Sequence, residues 1–498
     1  MDKKYSFFLI ALFFMVLAFR LFFAFQTPFF TDGEAYTTLR EVEHIKEGGL
    51  PLIKDELSYG GIEYLILPIF HYILAFFSLF MPTTIACKII PNIMASALVF
   101  PMYFYVRNMV KNKNIAILTS FIASFTPIYI FETVNSISKF SIIAPLFVTL
   151  MYLFQRINFT KKALPFIAIL IMYILTDFSV IILILSILLY LLLSWTEGLK
   201  ITRREIELIL FSVFITGLTY IIYLKDILLE EGVNTIYGNI PKPEIIQHFS
   251  EINFIFAIIS IGVLPLLSLI IVSLLYFSKK KKKTVYLPMS VGFMVAFLLF
   301  IKIIPLTVGL ILLGIMAVIL FGEFLFLVLN YFEKTKFSKY WWVIYIILIF
   351  LLLITSIVPS FLNAQSAIES TPKKEFVSAL EKLKNISPED DVVVSTPEKG
   401  SQVAYFSEKR NIMDTNYLHG KNTMARYNDL ETIYSSALAT RAIKLMEKYD
   451  VKYIVFDESA KEKYNINRIA YTNDKCFPLI IDKNSTKIYG LNCTMVRR

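Results

Sequence analysis

The chain has 498 residues, enough for about three globular domains, yet 56% of them are hydrophobic and only 18% are charged, with a mean hydropathy of +0.64. An ordinary soluble domain is about one quarter charged, so a purely cytoplasmic enzyme is excluded. Three cysteines make no disulfide framework, four scattered histidines lack zinc-ligand spacing, and the net charge of +10 lies in short basic clusters between apolar runs. That distribution marks the cytoplasmic loops of a membrane protein and argues against nucleic acid as a partner.

The first apolar run follows Met1-Asp2-Lys3-Lys4 and ends near Gln26. It is too long for a signal-peptide core and reads as an anchor. Further runs lie at 86–106, 115–130, 142–155, 163–176, 178–195, 206–224, 254–278, 284–301, 303–330 and 340–362, giving about eleven spans of an α-helical bundle. With that count every basic cluster falls on one side: Lys3/Lys4, Arg107/Lys111/Lys113, Arg156/Lys161/Lys162, Lys200/Arg203/Arg204, the pentalysine Lys279 to Lys283, and Lys334/Lys336/Lys339. The N-terminus is then cytoplasmic. The pentalysine reads as a topogenic run facing anionic lipid. Ile62 to Met81 is apolar enough to span, but counting it would turn every later cluster outward. It reads instead as an interfacial or re-entrant helix with Glu63 and His71 on its wet face.

Two regions then face outward. One is a first loop over residues 27–88, carrying Asp32, Glu34, Glu41, Glu43, Glu47, Asp55, Glu56 and Glu63. The other is the tail, residues 363–498, which holds 18 of the 39 acidic and 21 of the 49 basic residues and is mixed in sign, as a solvated surface is. The organisation is therefore a multi-span membrane domain, 1–362, followed by an extracytoplasmic domain, 363–498. In the tail, strands at 392–394, 411–414 and 453–456 alternate with helices at 373–384, after Gly400, and at 429–448. That order predicts a small α/β domain. Cys476 and Cys493 both lie there, free to bridge or to stay reduced. Asn484-Ser-Thr and Asn492-Cys-Thr match the glycosylation acceptor pattern. His44, His248 and His419 are single and read as surface residues.

The sharpest local feature is Phe29-Phe30-Thr31-Asp32-Gly33-Glu34-Ala35-Tyr36, where the first run leaves the membrane. A carboxylate there can hold a hard divalent cation against phosphate oxygens or accept a proton from an attacking hydroxyl or amide. The same residues also spell a capping box, with Thr31 as N-cap and Glu34 three positions on.

Asp32-Gly33-Glu34-Ala35-Tyr36, Leu39-Arg40 and Gly48-Gly49-Leu50-Pro51 resemble the first outer loop of GT-C membrane glycosyltransferases, above all the catalytic subunits of oligosaccharyltransferases. Arg20, Thr176-Asp177-Phe178-Ser179, the loop 234–253 and the tail segments 392–396, 400–405, 410–416 and 442–456 follow in family order. The resemblance implies an enzyme that transfers a sugar from a polyprenyl phosphate or diphosphate to a protein or glycan acceptor. It implies Asp32 as base or ligand of a divalent cation (magnesium or manganese), Glu34 and Glu132 as further ligands, and Lys302 with Arg20 as donor-phosphate partners. Two departures stand out. The acidic pair of the second outer loop is replaced by Ser136, Ser138 and Lys139, with Glu132 the stretch's one acid, and the acceptor motif of the tail by Thr396-Pro397-Glu398-Lys399-Gly400, in which Gly400 alone persists. A simple lipid-phosphate-sugar transferase of a prokaryotic plasma membrane fits this pattern better than sequon recognition. A flippase for lipid-linked sugars and a non-catalytic homologue are the alternatives. The first predicts ionisable residues facing one another at mid-membrane, whereas the charged residues here gather at span ends and loops.

Overall fold

In the computed structural model, the described residues are 3–63, 67–157, 163–231, 240–243, 254–278, 282–335, 341–417, 420 and 422–494. Most of the loop 234–253, His248, His419, and Lys279 to Lys281 lie outside them.

Among the described residues, six helical stretches are long and apolar enough to cross a membrane: Lys3–Ala24, Thr83–Val110, Arg203–Lys225, Lys283–Phe300, Leu306–Glu333 and Ile346–Ile386. Two bent pairs raise the number to eight, Lys113–Ser124 with Pro127–Thr133 (49°) and Ile255–Ile261 with Val263–Ser278 (86°). Pro127 ends one helix ladder because it has no N–H, and Gly262 turns the other through φ +99°. The count of about eleven is therefore not reached by length. The other three apolar runs form the helices Phe140–Gln155, Ala163–Ile174 and Val180–Thr196. At 1.5 Å per residue these are shorter than a hydrocarbon core of about 30 Å. The chain is an integral membrane protein by its helices.

The region 62–81 departs from its reading as a wet-faced helix. It holds a ten-residue helix, Ile69–Ser78, and His71 is buried at 3% exposure.

Hydrogen bonds gather the basic clusters at one end of the bundle. Tyr5 donates to Asn114, Asn108 to Gln155, Gln155 to the Thr284 carbonyl, and Lys283 to the Lys200 carbonyl. Lys282 and Lys283 face inward, not toward lipid. Lys282 Nζ lies 2.7 Å from the buried Glu323, which also accepts from Tyr276, and Lys283 Nζ lies 2.7 Å from the buried Glu205. A buried carboxylate needs such a partner.

The first loop and a small sheet meet at the other end. The sheet runs β4-β3-β5-β7-β6, built from β3 (Val392–Val394), β4 (Arg410–Asn411), β5 (Val451–Phe456), β6 (Leu479–Lys483) and β7 (Thr486–Gly490). β3 is parallel to β4 and β5, and β5-β7-β6 is antiparallel. Alternation divides its side chains between two cores, Val392, Val394, Ile454 and Phe456 on one face, and Val393, Val455, Ile481 and Ile488 on the other. The expected helix at 429–448 is two helices, Thr423–Ser435 and Ala439–Lys448. Cys476 and Cys493 are bridged, with Cα atoms 4.9 Å apart.

The first loop forms the hairpin β1 (Lys54–Asp55) and β2 (Ile62–Glu63) and is bolted to the sheet. Ser58 Oγ donates to Asp414 at 2.5 Å, Tyr59 OH to the Asp414 carbonyl at 2.7 Å, and the Tyr59 N–H to Asn411 at 3.1 Å. The Asn411 N–H returns a bond to the Leu57 carbonyl at 2.8 Å. Ser58→Ala leaves the buried Asp414 carboxyl short of a donor. A loss of about 1–3 kcal/mol is expected, read as a lower midpoint in thermal unfolding of detergent-solubilised protein.

Candidate active site

The helix Gly33–Gly48 starts where the chain leaves the first helix. Asp32 is its N-cap, accepting from the Ala35 N–H at 2.7 Å, and Gly49 closes it in the left-handed conformation at φ 74°. The capping box on Thr31 does not form. Thr31 Oγ1 instead donates to the Ala367 carbonyl at 2.9 Å and the Asn135 carbonyl at 3.2 Å. The capping and chemical readings of this motif therefore converge on one residue.

The second oxygen of Asp32 accepts from Ser136, a buried residue. Next to it, Asn135 Nδ2 donates to the Phe29 carbonyl at 3.0 Å. Lys88, buried at 5% exposure, sends Nζ to the Ala24 and Thr27 carbonyls at 2.6 Å each and to Asn135 Oδ1 at 3.0 Å. This lysine ties the end of the first helix and the Asp32 loop to the segment after Thr133. Sequence reasoning missed it, because a single lysine inside an apolar run carries no periodic signal. Ser136 stands where the family resemblance leads one to expect an acid.

Five carboxyls converge electrostatically. Glu34 feels Asp32, Asp177 and Asp414, and Glu132 feels Asp32 and Glu34, while Lys139 is the cation beside Glu34. Glu34 is exposed, Asp32 and Glu132 are half-buried, and Asp414 is buried, so the group opens to water on the Glu34 side. Burial among protein atoms raises the Asp32 pKa, opposed by the Ser136 and Ala35 hydrogen bonds. Glu34, although exposed, has its pKa raised by loss of hydration against the surrounding protein and then by the Asp32 charge, with water access moderating the shift. Asp177 and Asp414 come from a helix junction and from the sheet, and only the folded chain brings them here.

The remaining candidates divide. Glu132 belongs to the acidic group, but Asp32, Glu34 and Glu132 do not converge at ligand distance. Among the described residues no three histidine, cysteine or acidic side chains form a metal-binding group, and both Asp32 oxygens already accept protein donors. As they stand, these residues do not fit a metal.

Arg20 does not reach the membrane surface. It is fully enclosed, donating to Thr133 at 2.8 Å and lying over the Tyr129 ring at 4.9 Å. An enclosed guanidinium has no access to a headgroup. Lys302 is exposed in the turn between Lys283–Phe300 and Leu306–Glu333, with φ 57°.

In the sheet domain, Glu398 pairs with Lys463, Lys399 lies over the Phe376 ring at 5.4 Å, and Gly400 sits where a Cβ would be 2.3 Å from the Met413 carbonyl oxygen. Only glycine fits there. Gly33 likewise packs under Glu398, whose carbonyl oxygen would be 2.9 Å from a Cβ. Gly33 is what lets the Asp32 turn and the 396–400 segment approach this closely, while Gly400 lets that segment lie against Met413 and Asp414.

Solved structures share this architecture. The oligosaccharyltransferase of Archaeoglobus fulgidus, tethered to an acceptor peptide with an NVT sequon, superposes with a TM-score of 0.66 at 13% identity, covering 91% of this chain and 69% of that one. ArnT of Cupriavidus metallidurans, bound to undecaprenyl phosphate, gives a TM-score of 0.56 at 10% identity, covering 98% of both chains. The fold is the GT-C fold. The A. fulgidus enzyme solved with zinc and sulfate gives a TM-score of 0.61 at 14% identity over 94% of this chain and 71% of that one. No protein-family model matches this sequence, and no curated protein is similar to it in sequence. At such identities the GT-C fold is shared and the chemistry has to be argued from the site.

Proposed function

We propose that the protein is a membrane glycosyltransferase that moves a sugar from a polyprenyl phosphate or diphosphate donor to an acceptor at the end of the bundle where the first loop and the sheet meet. The observation that carries this reading is Asp32. It is a half-buried carboxylate at the exit of the first helix, held on both oxygens, in an acidic group drawn from four parts of the chain. The neighbouring GT-C structures with undecaprenyl phosphate and with an acceptor peptide support the substrate class.

In this reading Asp32 accepts the proton of the attacking acceptor group as the bond to the sugar's anomeric carbon forms and the donor phosphate leaves. The raised pKa brings Asp32 nearer to working pH, where a general base is most effective. Lys302, in its exposed turn, is the phosphate partner, and the 396–400 segment faces the acceptor. The end bearing the basic clusters is cytoplasmic, and the sheet domain, from about residue 363, is outside. Asp32 works in this reading with both oxygens held by protein donors.

The decisive assay mixes purified protein with a labelled polyprenyl-phosphate sugar. Transfer is expected, and a chelator is expected to leave the rate unchanged. A rate abolished by chelation would mean that a cation draws Asp32, Glu34 and Glu132 together. Binding of the donor without turnover would favour the flippase.

The pH profile gives a second test. A base with a raised pKa loses its proton-accepting form as pH falls through that pKa, so the acidic limb lies above the usual aspartate value of about 4. Ser136→Ala removes a donor that favours the carboxylate. The limb is expected to move to higher pH, measured as the rate between pH 4 and 8.

A further inference from the structure

The sheet domain contains a second site. The chain leaves β3 into the helix Pro397–Ser407 and reaches β4 on one side, then returns through two helices to β5 on the other side. Such a reversal opens a crevice at the carboxyl ends of the parallel strands, the usual ligand site of open α/β sheets. Here the crevice is a cavity of about 600 Å³. Its walls include Glu398 after β3, Asp457, Glu462 and Lys463 after β5, and Lys373 and Phe376 on the adjoining helix.

Its chemistry narrows the ligand. Among the described residues lining it, Phe376 is the single apolar one, which disfavours a lipid or an apolar peptide side chain. The charges are largely matched in place, Lys463 with Glu398 and Lys373 with Glu458, which disfavours a strongly anionic ligand. Side-by-side carboxylates and ammonium groups offer acceptors and donors at once, and a ring of vicinal hydroxyls, each both donor and acceptor, answers both. The cavity also adjoins the candidate site, because the backbone of Glu398, one of the residues lining it, packs directly on Gly33, next to Asp32.

We propose that this crevice is a carbohydrate subsite, sized for one or two sugar units of the glycan handled at Asp32. The inference rests on the glycosyl-transfer reading, and binding tests it apart from turnover. Titration calorimetry of the full-length protein in detergent, with N,N′-diacetylchitobiose and mannobiose as probes, is expected to show millimolar binding of at least one. Glu462→Gln and Lys373→Met are expected to weaken it at least tenfold with unchanged thermal unfolding, while Asp32→Asn binds as wild type. Binding untouched by the two crevice variants, binding of neither disaccharide, or binding of inorganic phosphate or a neutral hexapeptide in their place would overturn the subsite. Disaccharide binding by a protein that transfers nothing would retain the subsite and sink the enzyme reading. The converse result would do the opposite.

Discussion

Asp32→Asn is expected to lower sugar transfer by about 10²- to 10⁴-fold, the usual contribution of a positioned general base, while leaving the fold intact. The amide keeps an oxygen for the Ala35 N–H, so the cap that starts Gly33–Gly48 survives. It loses the capacity to take a proton. Its other end becomes an NH₂ group facing Ser136, whose hydroxyl can turn to accept. Initial rates with labelled donor, set beside thermal unfolding, separate the two effects. A variant that transfers at the wild-type rate would remove Asp32 from the chemistry and leave it a helix cap. A variant that fails to insert or unfolds would be read against Asp32→Glu, which keeps the charge and is expected to retain measurable activity.

The largest effect on stability is expected at the opposite end of the bundle. Lys282→Met leaves Glu323, only 1% exposed, with Tyr276 as its remaining partner. Removing one member of a buried ion pair costs about 3–5 kcal/mol, because the other is left charged and desolvated. The Lys282 side chain is 31% exposed, so water offsets part of that loss and the lower end, about 3 kcal/mol, is expected. Thermal unfolding of the solubilised protein measures it. The double variant Lys282→Met/Glu323→Met exchanges the pair for apolar groups of similar volume and is expected to recover most of the midpoint. If it unfolds no later than the single variant, the ion pair is not what Glu323 needs.

How much of this could be read from the chain is clearest residue by residue. Most of the apolar runs located their helices to within a few residues, the last being the exception because its helical stretch continues to Ile386. The clustered lysines and arginines put their connecting loops together at one end, because the cost of desolvating charge is local to each segment. The alternation of strand and helix in the tail, and the prominence of Asp32, were equally legible, since a carboxylate directly after a long apolar helix is unusual in any context. Three readings changed for reasons that involve distant partners. Arg20 turned inward because Thr133 and Tyr129, more than a hundred residues away, are there to receive it. His71 is buried because its short helix is packed where an interfacial helix would have been wet. Thr31 gave up the cap to Asp32 because Asn135 and Ala367 claim its hydroxyl.

By itself, then, the sequence determined the class of solvent each segment meets, for transfer between water and hydrocarbon depends on composition over about twenty consecutive residues. Tertiary structure alone decided which charges stand together. Glu132, Asp177 and Asp414 reach the neighbourhood of Asp32 and Glu34 from separate elements, and Lys88 and Ser136 hold the Asp32 turn in place. Coulomb and hydrogen-bond terms depend on distance in space, and separation along a chain does not specify that distance.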